Sequence, residues 1–219
     1  MNRLIQTMVA IFIASLPLQV MADTAETAVA ELQHDWAVAN YEIQGKQQLE
    51  AFEALIQKAE TATAANPNVA DIWIWDGIIR SSFAGVKGGV GALSLAKQSR
   101  SSLEKAMSID SDALNGSAYT SLGTLYFKVP GWPLGFGSDK KAVQLLEKAL
   151  ELNPDGIDPN YFYADYLLEQ KEFEEAERYL LKAAEAKPRE GRELADAGRR
   201  QEIQAALNHV RAKLGRSST

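Results

Sequence analysis

The stretch Leu146–Pro188, LEKALELNPDGIDPNYFYADYLLEQKEFEEAERYLLKAAEAKP, decides how the rest of the chain is read. Just upstream and into it, Ala142, Leu145, Leu146 and Ala149 precede Pro154; further on, Phe173, Ala176, Leu180 and Ala183 precede Pro188. Apolar side chains three and four residues apart form one stripe of an α-helix, and a proline, which has no N–H and clashes with the turn before it, ends that helix. A further helical segment carrying Tyr163 and Ala164 lies between the two, so the unit is helix, turn, helix. It advances 34 residues from Pro154 to Pro188.

A self-similar helix-turn-helix period of this length resembles the tetratricopeptide repeat. Tyr163 and Ala164 take the Leu-Gly positions of the repeat's first helix, Ala176 the first small position of its second helix, and Ala183 and Pro188 the second small position and the terminator. Upstream, Tyr119, Leu122, Gly123 and Tyr126 reproduce the first-helix pattern, and Ala142, Leu146, Ala149 and Pro154 supply the second helix. Gly123 and Ala142 are 19 residues apart, against 12 from Ala164 to Ala176, so seven extra residues sit in KVPGWPLGFGSDKK. One repeat earlier, Trp73 and Gly77 mark a first helix and SSLEKAMSID matches QLLEKALELN, with Ser99 in place of Ala142 and Ala106 in place of Ala149. Gly77 and Ser99 are 22 residues apart, an excess of ten that contains Lys87-Gly-Gly-Val-Gly91 and reads as a flexible inter-helix loop. A weaker unit runs from Trp36 to Pro67, and Ile203, Leu207, Val210 and Leu214 share one face of a last helix.

The expected fold is therefore all-α: a tetratricopeptide-like array of about four helix pairs, over about residues 33–67, 70–111, 116–154 and 157–188. Two of the pairs carry inter-helix insertions, and a capping helix over about 192–214 covers the end of the stack. Ser138 or Asp139 is expected to cap the helix that runs to Leu152, and Asp158 to cap a helix with Pro159 at its first position.

The chain opens with Arg3, an apolar run from Leu4 to Leu18 and Val20-Met21-Ala22, the pattern of a cleaved secretory leader over residues 1–22. With Gln6 and Pro17 inside it, the run falls short of the roughly 20 apolar residues of a membrane span. The expectation is a single mature domain over 23–219, exported to the periplasm and not lipid-anchored, since there is no cysteine to carry a lipid. The absence of cysteine also excludes disulfides, thiolate metal sites and a thiol nucleophile. The formal net charge of −6 argues against a general nucleic-acid binder. The segment from Pro188 to Thr219 runs the other way, with seven basic and four acidic residues. Those basic groups either complement helix carboxyl ends or meet an acidic partner or lipid headgroups.

Lys87–Gly91 is not a phosphate loop, because Ala92-Leu93 follow it where Lys and Ser or Thr would have to reach phosphate and magnesium. His34 and His209 lie near opposite ends of the chain and no H-E-x-x-H or G-x-S-x-G is present, so no enzyme activity, cofactor or metal is expected. Trp132 and Phe136, set among prolines and glycines in VPGWPLGFG, either fold back on their own helix pair or anchor a partner.

The tetratricopeptide resemblance implies a scaffold that binds a protein or peptide through a groove lined by the first helices. Projecting the family's groove positions gives Ser117, Thr120, Thr124, Phe127 and Lys128, then Asp158, Tyr161, Asp165, Leu168 and Glu169, an acidic and aromatic surface. The candidate partner-binding residues are Trp132, Phe136, Phe127, Tyr161, Asp165 and Thr124, and the partner a protein or peptide of the cell envelope. The leader, degenerate repeats and Pro/Gly-rich insertion also resemble the T components associated with TRAP-type transporters. That second likeness implies a small hydrophobic ligand, although those proteins are typically lipid-anchored.

Overall fold

The computed structural model describes residues 16–216, with side chains from Ala25 onward. Among the described residues there are nine helices and no strand: α1 (Leu16–Tyr41), α2 (Gly45–Ala65), α3 (Ala70–Lys87), α4 (Gly89–Ile109), α5 (Ala113–Lys128), α6 (Asp139–Leu152), α7 (Ile157–Glu169), α8 (Phe173–Ala184) and α9 (Glu193–Lys213). This is the all-α helical-repeat array that the periodicity predicts. Of the expected leader, residues 1–15 lie outside the described residues, and residues 16–22 belong to the first turns of α1.

Small residues hold each helix pair together. A methyl group on Gly123 of α5 would lie 2.7 Å from Leu146 Cγ and 3.2 Å from the Ala142 carbonyl oxygen of α6. On the equivalent Gly77 of α3 a methyl group would lie 2.5 Å from Leu103 Cγ, and Ser99 Oγ donates to the Gly77 carbonyl at 2.6 Å across the α3–α4 seam. Ala106, Ala142, Ala149, Ala176 and Ala183 are fully buried in the same kind of seam. Backbones this close leave no room for a larger side chain without strain.

A buried polar group locks the α3–α4 pair to its neighbour. Asp76 and Arg80 are ion-paired at 2.8 Å on α3, Ser102 Oγ of α4 donates to the same carboxylate, and Arg80 reaches Glu60 of α2 at 2.8 Å. A charge this deep survives only because each partner is hydrogen-bonded.

The ten-residue excess of the second pair is not a loop, contrary to the sequence expectation. It lengthens both helices, so that α3 has 18 residues and α4 has 21, against 13 and 12 in α7 and α8. Gly88 and Gly89, with φ of +61° and +60°, turn the chain between them in a single step. The seven-residue excess of the third pair does form a loop. Gly137 donates its N–H to the Pro130 carbonyl at 2.9 Å, Ser138 donates its N–H to Tyr126 at 2.7 Å, and Ser138 Oγ then caps α6. Asp158 is not the cap: α7 begins two residues earlier than expected, at Ile157 with Gly156 at its N-cap, which leaves the carboxylate free for other partners.

The helices form two layers. Odd-numbered helices contact one another in succession, α1 with α3, α3 with α5, α5 with α7 and α7 with α9, while α2, α4, α6 and α8 pack outside them. The inner series then closes, because α9 also contacts α1. At that closure Gly198 of α9 packs face-on against the Tyr41 ring, with no space for a side chain, and Tyr41 Oη reaches Glu202 at 3.4 Å. The expected capping helix is thus the fifth inner helix of a ring. Ile203, Leu207 and Val210 are buried against the fourth pair, as the shared face predicts.

Candidate binding lumen

All five inner helices contribute to one central cavity of about 1590 Å³. Its wall carries hydroxyls from α3 and α5, among them Ser81, Ser82, Thr120 and Thr124, and apolar surface from Trp75, Ile78, Leu93 and Leu134. Trp36 of α1 donates its indole N–H to Ser82 Oγ at 2.8 Å and meets the Trp75 ring edge-on at 5.6 Å, so both indoles are fixed before any ligand arrives.

The charged side of the wall comes from α7, α9 and the connection between α8 and α9. Asp158 is gripped by Arg189 at 2.6 Å and Arg199 at 2.9 Å. Burial alone would raise its pKa, but the two guanidiniums outweigh that cost and hold the carboxyl down at about 2. Arg199 also pairs with Glu202 at 2.5 Å and lies over the rings of Tyr161 and Phe162 at 4.4 and 4.5 Å. Burial pushes the Tyr161 hydroxyl up to about 12, against the pull of Arg199. Arg189 binds Asp196 as well, at 2.6 Å.

Of the six sequence candidates, Thr124 and Tyr161 line the cavity, while the other four do not belong to its wall. Phe127 lies outside it, edge-on to Tyr166 at 5.6 Å. Asp165 is held by Lys128 at 3.1 Å, and Lys128 also takes Glu169 at 2.9 Å. Phe136 turns inward, edge-on to Tyr126 at 5.5 Å and 5.2 Å from the Arg100 guanidinium of α4. Trp132 points out, 90% exposed, near the exposed Leu134 of the rim. The loop and the glycine turn meet as neighbours through α4, since a methyl group on Gly135 would sit 3.4 Å from Leu93 Cδ1.

The acidic character read from the first helices is cancelled, because Asp158, Asp165 and Glu169 all have cationic partners. The residues that sequence reasoning missed are Arg189, Arg192 and Arg199, together with Trp75. The signal for the three arginines was the basic surplus after Pro188. One of its two readings holds for Arg200, which donates to the Ala184 and Ala186 carbonyls at the end of α8 at 2.7 Å each. The arginines nearer Pro188 turn into the cavity instead.

Residues 140–201 match the family profile described as tetratricopeptide repeat, a span that covers α6 to α8 and enters α9. No curated protein matches the chain. The matched repeat is a protein-interaction module, and an all-helical array of this kind is typically a non-enzymatic scaffold. Among the described residues no helix is long and apolar enough to cross a membrane, and no three His, Asp or Glu side chains group to hold a metal ion.

Proposed function

We propose that this protein is a non-enzymatic scaffold of the periplasm, exported by its leader, that binds a peptide segment of an envelope protein in the central lumen. The observation that carries the reading is the lumen's size and wall. Small-molecule sites occupy about 300 to 1,000 Å³, whereas this cavity is larger and sets hydroxyl and charged groups into a largely apolar wall drawn from five helices. An extended segment, with backbone groups to bond and side chains to bury, uses such a wall better than a compact ligand does. Thr124 and Tyr161 contact the segment inside, and Trp132 offers an exposed aromatic at the rim.

The test is photo-crosslinking in an envelope extract, with benzoylphenylalanine placed at Thr124 inside the lumen or at Gln144 on the outer face of α6. A discrete adduct at Thr124 alone, mapping to one short segment of one protein, is the expected result. An adduct that contains only lipid or another small apolar molecule, or equal labelling at both positions, overturns the reading.

A further inference from the structure

Among the described residues Arg192 is a half-buried cation of the charged wall that no carboxylate holds in an ion pair. It stands at the N-cap of α9, lines the cavity and lies with its guanidinium 4.8 Å over the Trp75 ring. Its Nε is buried without a hydrogen-bond partner, and so is Nε1 of Trp75, itself only 3% exposed. The acids that act on it are already committed: Asp158 to Arg189 and Arg199, and Asp196 to Arg189. Burial and the neighbouring Arg189 charge both disfavour the Arg192 cation. A half-buried cation and two buried donors without acceptors are costly unless something supplies the missing acceptor.

We propose that the lumen selects a carboxylate, and that Arg192, backed by the Trp75 face, is the residue that receives it. This rests on the peptide-binding reading and names the chemistry of the peptide: an acidic side chain or chain end, preceded by apolar residues that lie along Ile78, Leu93 and Leu134. A guanidinium stacked on an indole keeps its N–H edges free, and those edges match the two oxygens of a carboxylate. The site sits on the connection that leads into α9 rather than on the first helix of a repeat, so it exists only because the ring closes and brings residue 192 against residue 75.

The test uses the whole protein and three pools of fluorescent decapeptides built from Ala, Leu, Phe and Ser around one fixed position. Pool one has Glu there and an amidated end, pool two has Gln and an amidated end, and pool three has Gln and a free terminal carboxylate. Fluorescence polarisation should show pool one, pool three or both bound at least about tenfold more tightly than pool two, and which one identifies the source of the carboxylate. Arg192→Gln should bring the pools within about twofold of one another. Arg192→Lys should keep part of the preference, and Arg178→Gln, on the exposed surface of α8, all of it. Equal, saturable binding of all pools by the unaltered protein overturns the carboxylate site and leaves the peptide lumen standing; no binding of any pool overturns both. A preference that survives Arg192→Gln, in a protein whose melt is unchanged, also overturns the assignment.

Discussion

Single methyl groups set the tolerances of this fold. Ala183 is fully buried where α8 meets its neighbours, so Ala183→Leu should overpack the seam and cost about 1 to 3 kcal/mol, whereas Gln144→Leu on the solvent face of α6 should cost less than about 0.5. Urea midpoints of the two variants check this, and equal midpoints would mean that the seam is not where the small residues meet. Such positions were legible from sequence, because a helical period and small residues at fixed places report a local regularity. The role of Arg192 was not. Its neighbour Trp75 is more than a hundred positions away in the chain, and nothing local distinguishes Arg192 from Arg200, which satisfies helix carbonyls.

Among elements, the α3–α4 hairpin differs most from its equivalents. Asp76, Arg80 and Ser102 are buried within it, and Glu60 extends the network to α2. Removing the carboxylate with Asp76→Ala should leave Arg80 buried without its main partner and cost about 3 to 5 kcal/mol, far more than Asp165→Ala at the more exposed pair with Lys128. Thermal and urea unfolding of both variants tests that order. The extra length was visible as a ten-residue excess, but its form was not. Glycines at Gly88, Gly89 and Gly91 suggest a loop, whereas two of them serve only to reverse the chain and the third sits within α4, where Leu95, Ala96, Ser99 and Ser102 already keep a helical period. By contrast, the proline-rich excess before α6 has no such period and forms the loop its composition implies.

For the whole molecule, the decisive feature is the contact of α9 with α1, and Asp158 supports the cationic cluster that lines it. Its folded pKa of about 2 lies below the ordinary carboxyl value of 3.8, so its contribution is complete above about pH 4 to 5 and disappears as pH falls through the folded value. The shift corresponds to about 2 kcal/mol. Glu202, pushed up by burial, contributes a slope of opposite sign at higher pH, so the useful quantity is the difference between proteins. Asp158→Asn should be less stable than the parent at pH 6, and the gap should narrow as both approach pH 2, as read from urea midpoints. A gap independent of pH would show that Asp158 is not the titrating support. The ring was absent from the sequence reading because a repeat pattern specifies each unit and its next neighbour, while closure depends on the rotation summed over every unit.

That closure also changes how the molecule comes apart. An open solenoid unravels from its ends, since each terminal unit has one neighbour and the contacts are short in sequence. Here Tyr41 and Glu202 meet across 161 residues, a separation that an ordinary repeat array never has to bridge. Joining such distant positions costs loop entropy during folding and delays the final step, but once made it gives both ends a second neighbour. The first and last helices are then protected by each other, fraying at either terminus is suppressed, and the lumen persists only while the entire circle does.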